Sequence, residues 1–154
     1  MSEGFLGTAA PRYADVVLLL EIAMGLGLLV GALLARLRRF RAHAVCQTAI
    51  VLLNVVIIAL VMVPSFRDHV SPKIPRKLGK DYYALATAHA VVGGIIQCGG
   101  LYIVLAAGTK ILPEKLRIRR YKFWMRWVLV GWWVVLAMGL ATYARWYVPY
   151  LFRR

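Results

Sequence analysis

Four long apolar segments constrain this chain more than any other feature of its sequence. They cover about residues 14–36, 43–66, 82–108 and 125–148. At a rise of ~1.5 Å per residue, a helix of about 20 apolar residues crosses the hydrocarbon core of a bilayer. Because backbone polar groups in lipid must be hydrogen-bonded within the protein, we expect helices and exclude an open sheet. The sequence therefore predicts an all-α integral membrane protein.

The composition leaves little room for anything besides these segments. The chain has 154 residues, of which 62% are hydrophobic, and its mean hydropathy of +0.70 lies outside the soluble globular range. We therefore predict a single membrane domain over residues 1–154, folded as an antiparallel bundle of four transmembrane helices. The N-terminus lacks the basic region of a cleaved signal peptide, so we expect the first helix to direct insertion and to remain.

The net charge of +14 is concentrated at the ends of the apolar segments. This placement is typical of contacts with anionic lipid headgroups and argues against nucleic acid as a partner; docking onto an acidic subunit is the alternative. The first and third connections carry eleven Lys and Arg residues, against nine for the middle connection and both termini. The positive-inside rule then predicts that both termini lie outside.

Polar side chains inside the segments are the candidate functional residues, because each costs ~2–4 kcal/mol in hydrocarbon. In an up-down-up-down bundle, Glu21 of the first segment and His89 of the third fall at the same depth. The two side chains could exchange a proton or share a haem or metal environment. A hydrogen-bonded structural pair, or a protonated Glu21 that only caps backbone, remains the alternative.

The third segment places a histidine, a glycine and an amide on one face, because His89, Gly93 and Gln97 follow at intervals of four. A histidine with a glycine one turn away suits a haem axial ligand beside a porphyrin, and it equally suits close helix packing with a polar tie. An adjacent stripe of small residues predicts close approach of a helix or a flat cofactor. The stripe consists of Ala86, Ala90, Gly94 and Cys98.

The second segment has its own polar face, formed by His43, Gln47 and Asn54. His43 lies roughly 20 Å along the bundle from His89, so one haem or metal cannot bind both. Haem b and copper are the possible cofactors. In the first segment Gly27 and Gly31 form a small-xxx-small packing pattern. The two cysteines, Cys46 and Cys98, are placed for packing and not for a disulfide.

The sequence gives no support for an enzyme with its own substrate. It lacks a Cys-x-x-Cys-His haem attachment motif, a zinc-ligand cluster, a glycine-rich phosphate loop and a Gly-x-Ser-x-Gly elbow. It shows no pairing of a nucleophile with a base. We therefore favour a protein with no activity of its own.

The fourth segment resembles the last helix of a small bacterial four-helix membrane family of unknown function. The resemblance rests on the run from Arg119 to Lys122, followed by the residues Arg126, Trp127, Trp132, Gly139 and Tyr143. It covers about residues 15 to 148, and it places the two histidines of the family on His43 and His89, with the basic segment 36–41 before His43. Some members are linked to maturation of cytochrome c oxidase. A further family histidine before the fourth helix is absent here, where Arg120 and Tyr121 stand.

The resemblance implies an accessory or assembly protein of a respiratory complex in the bacterial cytoplasmic membrane. Such a protein would pack against the transmembrane helices of partner subunits and could handle haem or copper through His89 or His43. A membrane b-type cytochrome that exchanges electrons with quinone is one alternative. A purely structural subunit, whose buried polar residues only tie helices together, is the other.

Overall fold

The structure is a computed structural model that describes residues 4–77, 79–109, 111–117 and 120–148, with backbone alone at residues 75, 81 and 82. Within these residues the chain is helical, and four helices are long and apolar enough to cross a membrane. They are α1 (Arg12–Arg36), α2 (Phe40–Lys73), α3 (Asp81–Gly108) and α4 (Tyr121–Tyr147). The predicted all-α, four-helix membrane architecture is confirmed.

The four helices form a ring in which each one packs against its neighbours in the chain. The most extensive contacts join α3 to α4 and α1 to α2, and contacts of α2 with α3 and of α1 with α4 close the ring. A three-residue turn reverses the chain between α1 and α2, with Arg38 in the left-handed region at a φ of 59°. The main buried cluster lies between α1, α2 and α4, around Met24, Leu28, Ile57 and Trp132.

Helix α2 continues beyond its predicted end at residue 66. After a regular α-helix over Phe40–Ile57, it has π-helical turns at Ile58–Met62 and Phe66–Val70, and it ends in a 3₁₀ turn at Ser71–Lys73. Pro64 lies between the two π-helical turns; it has no N–H to donate, and its ring displaces the carbonyl four residues earlier. The helix therefore widens here instead of ending.

The widened helix also carries His69, in its second π-helical turn. His69 lies on α2, where its Nδ1 is 3.1 Å from the Ser65 carbonyl oxygen. Its side chain is exposed. It is therefore a surface residue of the helix.

Side chains of α2 bind the backbone of α1 at the end of the bundle near the α1–α2 turn. Gly27 and Gly31 make this possible, because side chains at these positions would overlap Ile50 and Gln47. Both glycines, which the sequence assigned to helix packing, lie against side chains of α2. Three α2 side chains contact α1 carbonyls: His43 Nδ1 with Gly31 O (2.7 Å), Cys46 Sγ with Gly27 O (3.5 Å) and Gln47 Nε2 with Leu28 O (3.2 Å).

We expect Gly31→Ala to destabilise the bundle by about 1–3 kcal/mol, although alanine is the better helix former. The new methyl group would displace the Gln47 amide and break its bond to Leu28. Gly94→Ala is the matched control, because a methyl group there meets nothing within 4 Å. Unfolding in a detergent titration, followed by helical circular dichroism, measures both. Equal stability of the two variants would contradict this account of the α1–α2 contact.

Candidate functional site

The four helices enclose a cavity of about 700 Å³ on the side of the bundle where α1 begins. This volume lies within the ~300–1,000 Å³ of sites that bind small molecules and cofactors. Aliphatic and aromatic side chains supply most of the wall. The polar residues of the membrane segments that line it include Glu21, Asn54, His89 and Gln97. The structure thus brings together the buried polar residues that the sequence singled out on three different helices.

His89 is held against α4 by one edge of its ring. Its Nδ1 lies 3.1 Å from the carbonyl oxygen of Val135. A carbonyl can only accept a hydrogen bond, so Nδ1 carries a proton, and in the neutral ring Nε2 keeps its lone pair. Gly139, one turn beyond Val135, gives the ring space, since a Cβ there would lie 3.1 Å from His89 Cε1. The result is an oriented imidazole with an unprotonated nitrogen on a ring that lines the cavity.

Glu21 lines the same cavity from α1 without forming the expected pair with His89. Its Oε1 is buried and has no hydrogen-bond partner among the residues that the structure describes. The two residues line one cavity, but among the described residues neither a mutual bond nor a backbone cap accounts for Glu21. A buried oxygen without a partner is costly and can bind a ligand.

Asn54 and Gln97 form a buried tie between α2 and α3. The Asn54 Nδ2 group donates to Gln97 Oε1 at 2.9 Å, and Gln97 Nε2 donates to the Val51 carbonyl at 3.0 Å. Asn54 and Gln97 are 8% and 6% exposed. Asn54 Oδ1 has no hydrogen-bond partner among the described residues. The cavity wall therefore contains one unpaired hydrogen-bond acceptor at this position.

The small residues of α3 line the cavity instead of serving mainly as a helix contact. The sequence assigned helix packing to Ala86, Ala90 and Gly94, and all three, together with Gly93, lie on the cavity wall. A side chain on Gly94 would enter open space. Ala86 alone also belongs to a buried cluster, with Val70 and Tyr83. The rotation of α3 therefore turns its small-residue face toward the cavity.

The widened part of α2 supplies another part of the cavity wall. Ile58, Val61 and Met62 line the cavity from the first π-helical turn, and Phe66 and Arg67 line it from the second. A π-helical turn frequently marks a functional site, because it moves side chains off the regular helical positions. In this protein both π-helical turns of α2 contribute side chains to the cavity wall.

A hydrogen-bond network at the end of the bundle, next to the cavity, was not predicted from the sequence. Asp15 is fully buried and accepts from the Tyr143 hydroxyl at 2.5 Å and from the Leu6 N–H at 3.0 Å. The Tyr143 hydroxyl is also 2.7 Å from Thr8 Oγ1. Residues 4–10 are thereby held across this end of α1 and α4. Asp15 and Tyr143 are 128 positions apart, so no local pattern in the sequence joins them.

The second histidine site predicted from the sequence lies apart from the cavity. His43 is near the other end of α1, on the Gly31 carbonyl, and is not a lining residue. Cys46 is half-buried, Cys98 is exposed, and both are free. Among the described residues no group of three or more His, Cys, Asp or Glu side chains could hold a metal ion. The cavity thus offers one histidine nitrogen, and not a cluster of metal ligands.

We expect Glu21→Gln to change the free energy of unfolding by less than about 0.5 kcal/mol, because the Oε1 atom that it alters makes no bond to lose. Glu21→Leu should stabilise the bundle by about 1–3 kcal/mol, since it removes an unpaired polar group. A detergent titration of both variants gives the values. A loss of more than ~2 kcal/mol in Glu21→Gln would show that the carboxylate has a partner in the folded protein.

In comparisons with known proteins, no family model, curated protein or solved structure matches this chain. The resemblance to the bacterial four-helix membrane family therefore stays a prediction from the residues that carry it. The geometry of the cavity is the evidence from which a function is argued.

Proposed function

We propose that this chain is an accessory or assembly protein of a respiratory electron-transport complex of the haem-copper oxidase type, and that its cavity receives haem b. One observation carries the cofactor part of the proposal. The bond from His89 Nδ1 to the Val135 carbonyl leaves Nε2 with a lone pair on the ring that lines the cavity. Haem-ligating and metal-ligating histidines are oriented by this kind of bond from the other ring nitrogen.

The lining of the cavity fits a flat, largely apolar group with a charged edge. Gly94 faces open space in the cavity wall, and aliphatic side chains of α1 and α2 form other parts of the wall. Arg67 lines the cavity near the end of α2, where its Nε pairs with Asp68 Oδ1 at 2.9 Å, and its remaining N–H groups would suit a carboxylate such as a haem propionate. His89 would hold the iron. Bound haem would supply one-electron chemistry, or it would be the cargo that the protein passes on.

Copper is the weaker candidate for this cavity. Soft thiolate and thioether ligands with imidazole favour Cu(I), and the cavity offers His89 and Met62 but no cysteine among its described lining residues. Cys98, on the adjacent face of α3, is exposed. The donor set therefore favours haem over copper.

A b-type cytochrome that exchanges electrons with quinone is the second candidate, and Glu21 is the observation that favours it. A carboxyl group with an unpartnered oxygen in the same cavity as an oriented imidazole suits proton exchange with a quinol. A purely structural subunit would need only the Asn54–Gln97 tie, and it leaves the unpartnered Glu21 unexplained.

For the membrane setting, we propose the bacterial cytoplasmic membrane, with both termini outside and the α1–α2 and α3–α4 connections inside. The excess of Lys and Arg in these two connections supports this orientation. Partner subunits would pack on outward apolar side chains of the bundle, and Leu29, Val30 and Leu33 of α1 are the examples near the inner face. Anionic lipids would contact the basic helix ends, and no nucleic-acid partner is expected.

Deletion of the gene tests the respiratory part of the proposal. We expect membranes of the deletion strain to lose most of their cytochrome c oxidase activity, and we expect wild-type protein supplied in trans to restore it. The content of an unrelated membrane enzyme serves as the control for general damage. Unchanged oxidase activity and unchanged subunit content would contradict the role in assembly.

A further inference from the structure

A second concave surface lies on the outside of the bundle, where α4 begins. It is a groove of about 730 Å³, here called the α4 groove. Its lining residues are Arg120, Tyr121, Lys122, Phe123, Arg126, Trp127 and Val130. None of them lines the cavity that contains His89, so the groove is separate from the site described above. We infer that the α4 groove binds an anionic phospholipid, with the phosphate on its cations and one acyl chain along its aromatic wall.

The charge of the groove is positive and unbalanced. Arg120, Lys122 and Arg126 are exposed, and none of the groove's described lining residues is a carboxylate. None of the three cations forms an ion pair with a residue that the structure describes. Lys122 and Arg126 are one helical turn apart, so both side chains project from the same face of α4. An arginine pairs with two phosphate oxygens at once, which makes a phosphate the complementary group.

Three further lining residues give the groove an apolar wall. Phe123, Trp127 and Val130 are 51%, 58% and 54% exposed, and they repeat at the three- and four-residue spacing of one helix face. The rings of Phe123 and Trp127 pack edge to face with centroids 6.0 Å apart. Val130 lies about 10 Å further along the helix than Phe123, toward the membrane centre.

This order of groups selects a phospholipid over other occupants. Arg120 and Lys122 lie at the helix start and Arg126 lies one turn further on, beside Phe123 and Trp127. The apolar wall continues one turn past the last cation to Val130, so the groove is charged at the helix start and apolar toward the membrane centre, as the headgroup and acyl chain of a lipid are. Free phosphate would leave the wall uncovered. An apolar helix of a partner would leave three cations without a counter-charge. On the orientation proposed above, the groove faces the leaflet in which anionic lipids are enriched.

Native mass spectrometry of the full chain in mild detergent tests the inference with added phosphatidylglycerol, phosphatidylcholine or inorganic phosphate. We expect retention of phosphatidylglycerol, and little retention of the other two. Each basic residue near a membrane surface contributes a factor of about five in affinity, so Arg120→Gln with Arg126→Gln should weaken binding by about 25-fold. Arg39→Gln with Arg41→Gln removes the same charge from the same membrane face, outside the groove, and should change binding less than threefold.

A third variant tests the apolar wall without changing charge. Val130→Trp narrows the lower part of the groove and should weaken phosphatidylglycerol binding while the helical circular dichroism stays unchanged. The inference would be overturned if both double variants, Arg120→Gln with Arg126→Gln and Arg39→Gln with Arg41→Gln, lost the same affinity for phosphatidylglycerol. That result would mean that net charge alone attracts the lipid. Equal retention of phosphatidylcholine, or tight binding of inorganic phosphate alone, would overturn it as well.

Discussion

His89→Ala is expected to remove bound haem from the purified protein while the helical bundle stays folded. Groups that only support a metal ligand already cost about 10–100-fold in affinity when removed, so loss of the ligand itself should cost more than that. The fold should survive, because the substitution breaks one side-chain bond to the Val135 carbonyl and leaves the α4 helix intact. A reduced-minus-oxidised absorption spectrum measures the haem, and far-ultraviolet circular dichroism measures the helix content.

The chain offers two matched histidine controls for this variant. His43 contacts the Gly31 carbonyl away from the cavity, and His69 is exposed on α2, so His43→Ala and His69→Ala should keep the haem signal. Addition of imidazole to a His89→Gly variant should restore part of the band, because imidazole can occupy the vacated space as an external ligand. A full haem signal in His89→Ala would remove His89 from the role of iron ligand.

Gln97→Ala is expected to have the largest effect on stability, about 2–4 kcal/mol. The substitution removes the bonds to Asn54 and to the Val51 carbonyl, and it leaves the Asn54 side chain buried without a partner among the described residues. A buried polar group that loses its partner costs ~1–3 kcal/mol, and the small cavity left by the truncation adds to this. A detergent titration of the purified variants measures the change.

The double variant Asn54→Leu with Gln97→Leu separates the hydrogen bond from the packing. It replaces both amides with apolar groups of similar size, so it should recover most of the stability lost in Gln97→Ala. Cys98→Ala, at the next position on α3 and exposed, should stay within about 0.5 kcal/mol of wild type. If Gln97→Ala were as stable as Cys98→Ala, the Asn54–Gln97 tie would contribute nothing to the fold.

The sequence was sufficient to predict the four membrane helices, because their length and hydropathy depend on local residues. The end of α2 was not predictable in the same way. The apolar segment ends before the charged residues Arg67 and Asp68, whereas the helix continues past Pro64 through wider turns that keep the chain helical as far as Lys73. Whether a proline ends or widens a helix depends on the packing around it.

Part of the candidate site was predictable, because the helix directions follow from the order of the segments. Alternating helix directions placed Glu21 and His89 at one level, and both line the cavity. The rotation of each helix about its axis is set by packing, so the sequence did not reveal that Ala90 and Gly94 face the cavity and not a neighbouring helix. The bond between Asp15 and Tyr143 joins the two ends of the chain, and no spacing rule connects them.

The central claim is that the cavity beside His89 takes haem, and one spectrum tests it most directly. The wild-type chain is purified in mild detergent from cells that make haem, and its reduced-minus-oxidised absorption spectrum is recorded together with the haem content per chain. We predict a b-type band at close to one haem per chain that disappears in His89→Ala. A spectrum without a haem band, from protein that is fully helical and supplied with haem, would contradict the claim.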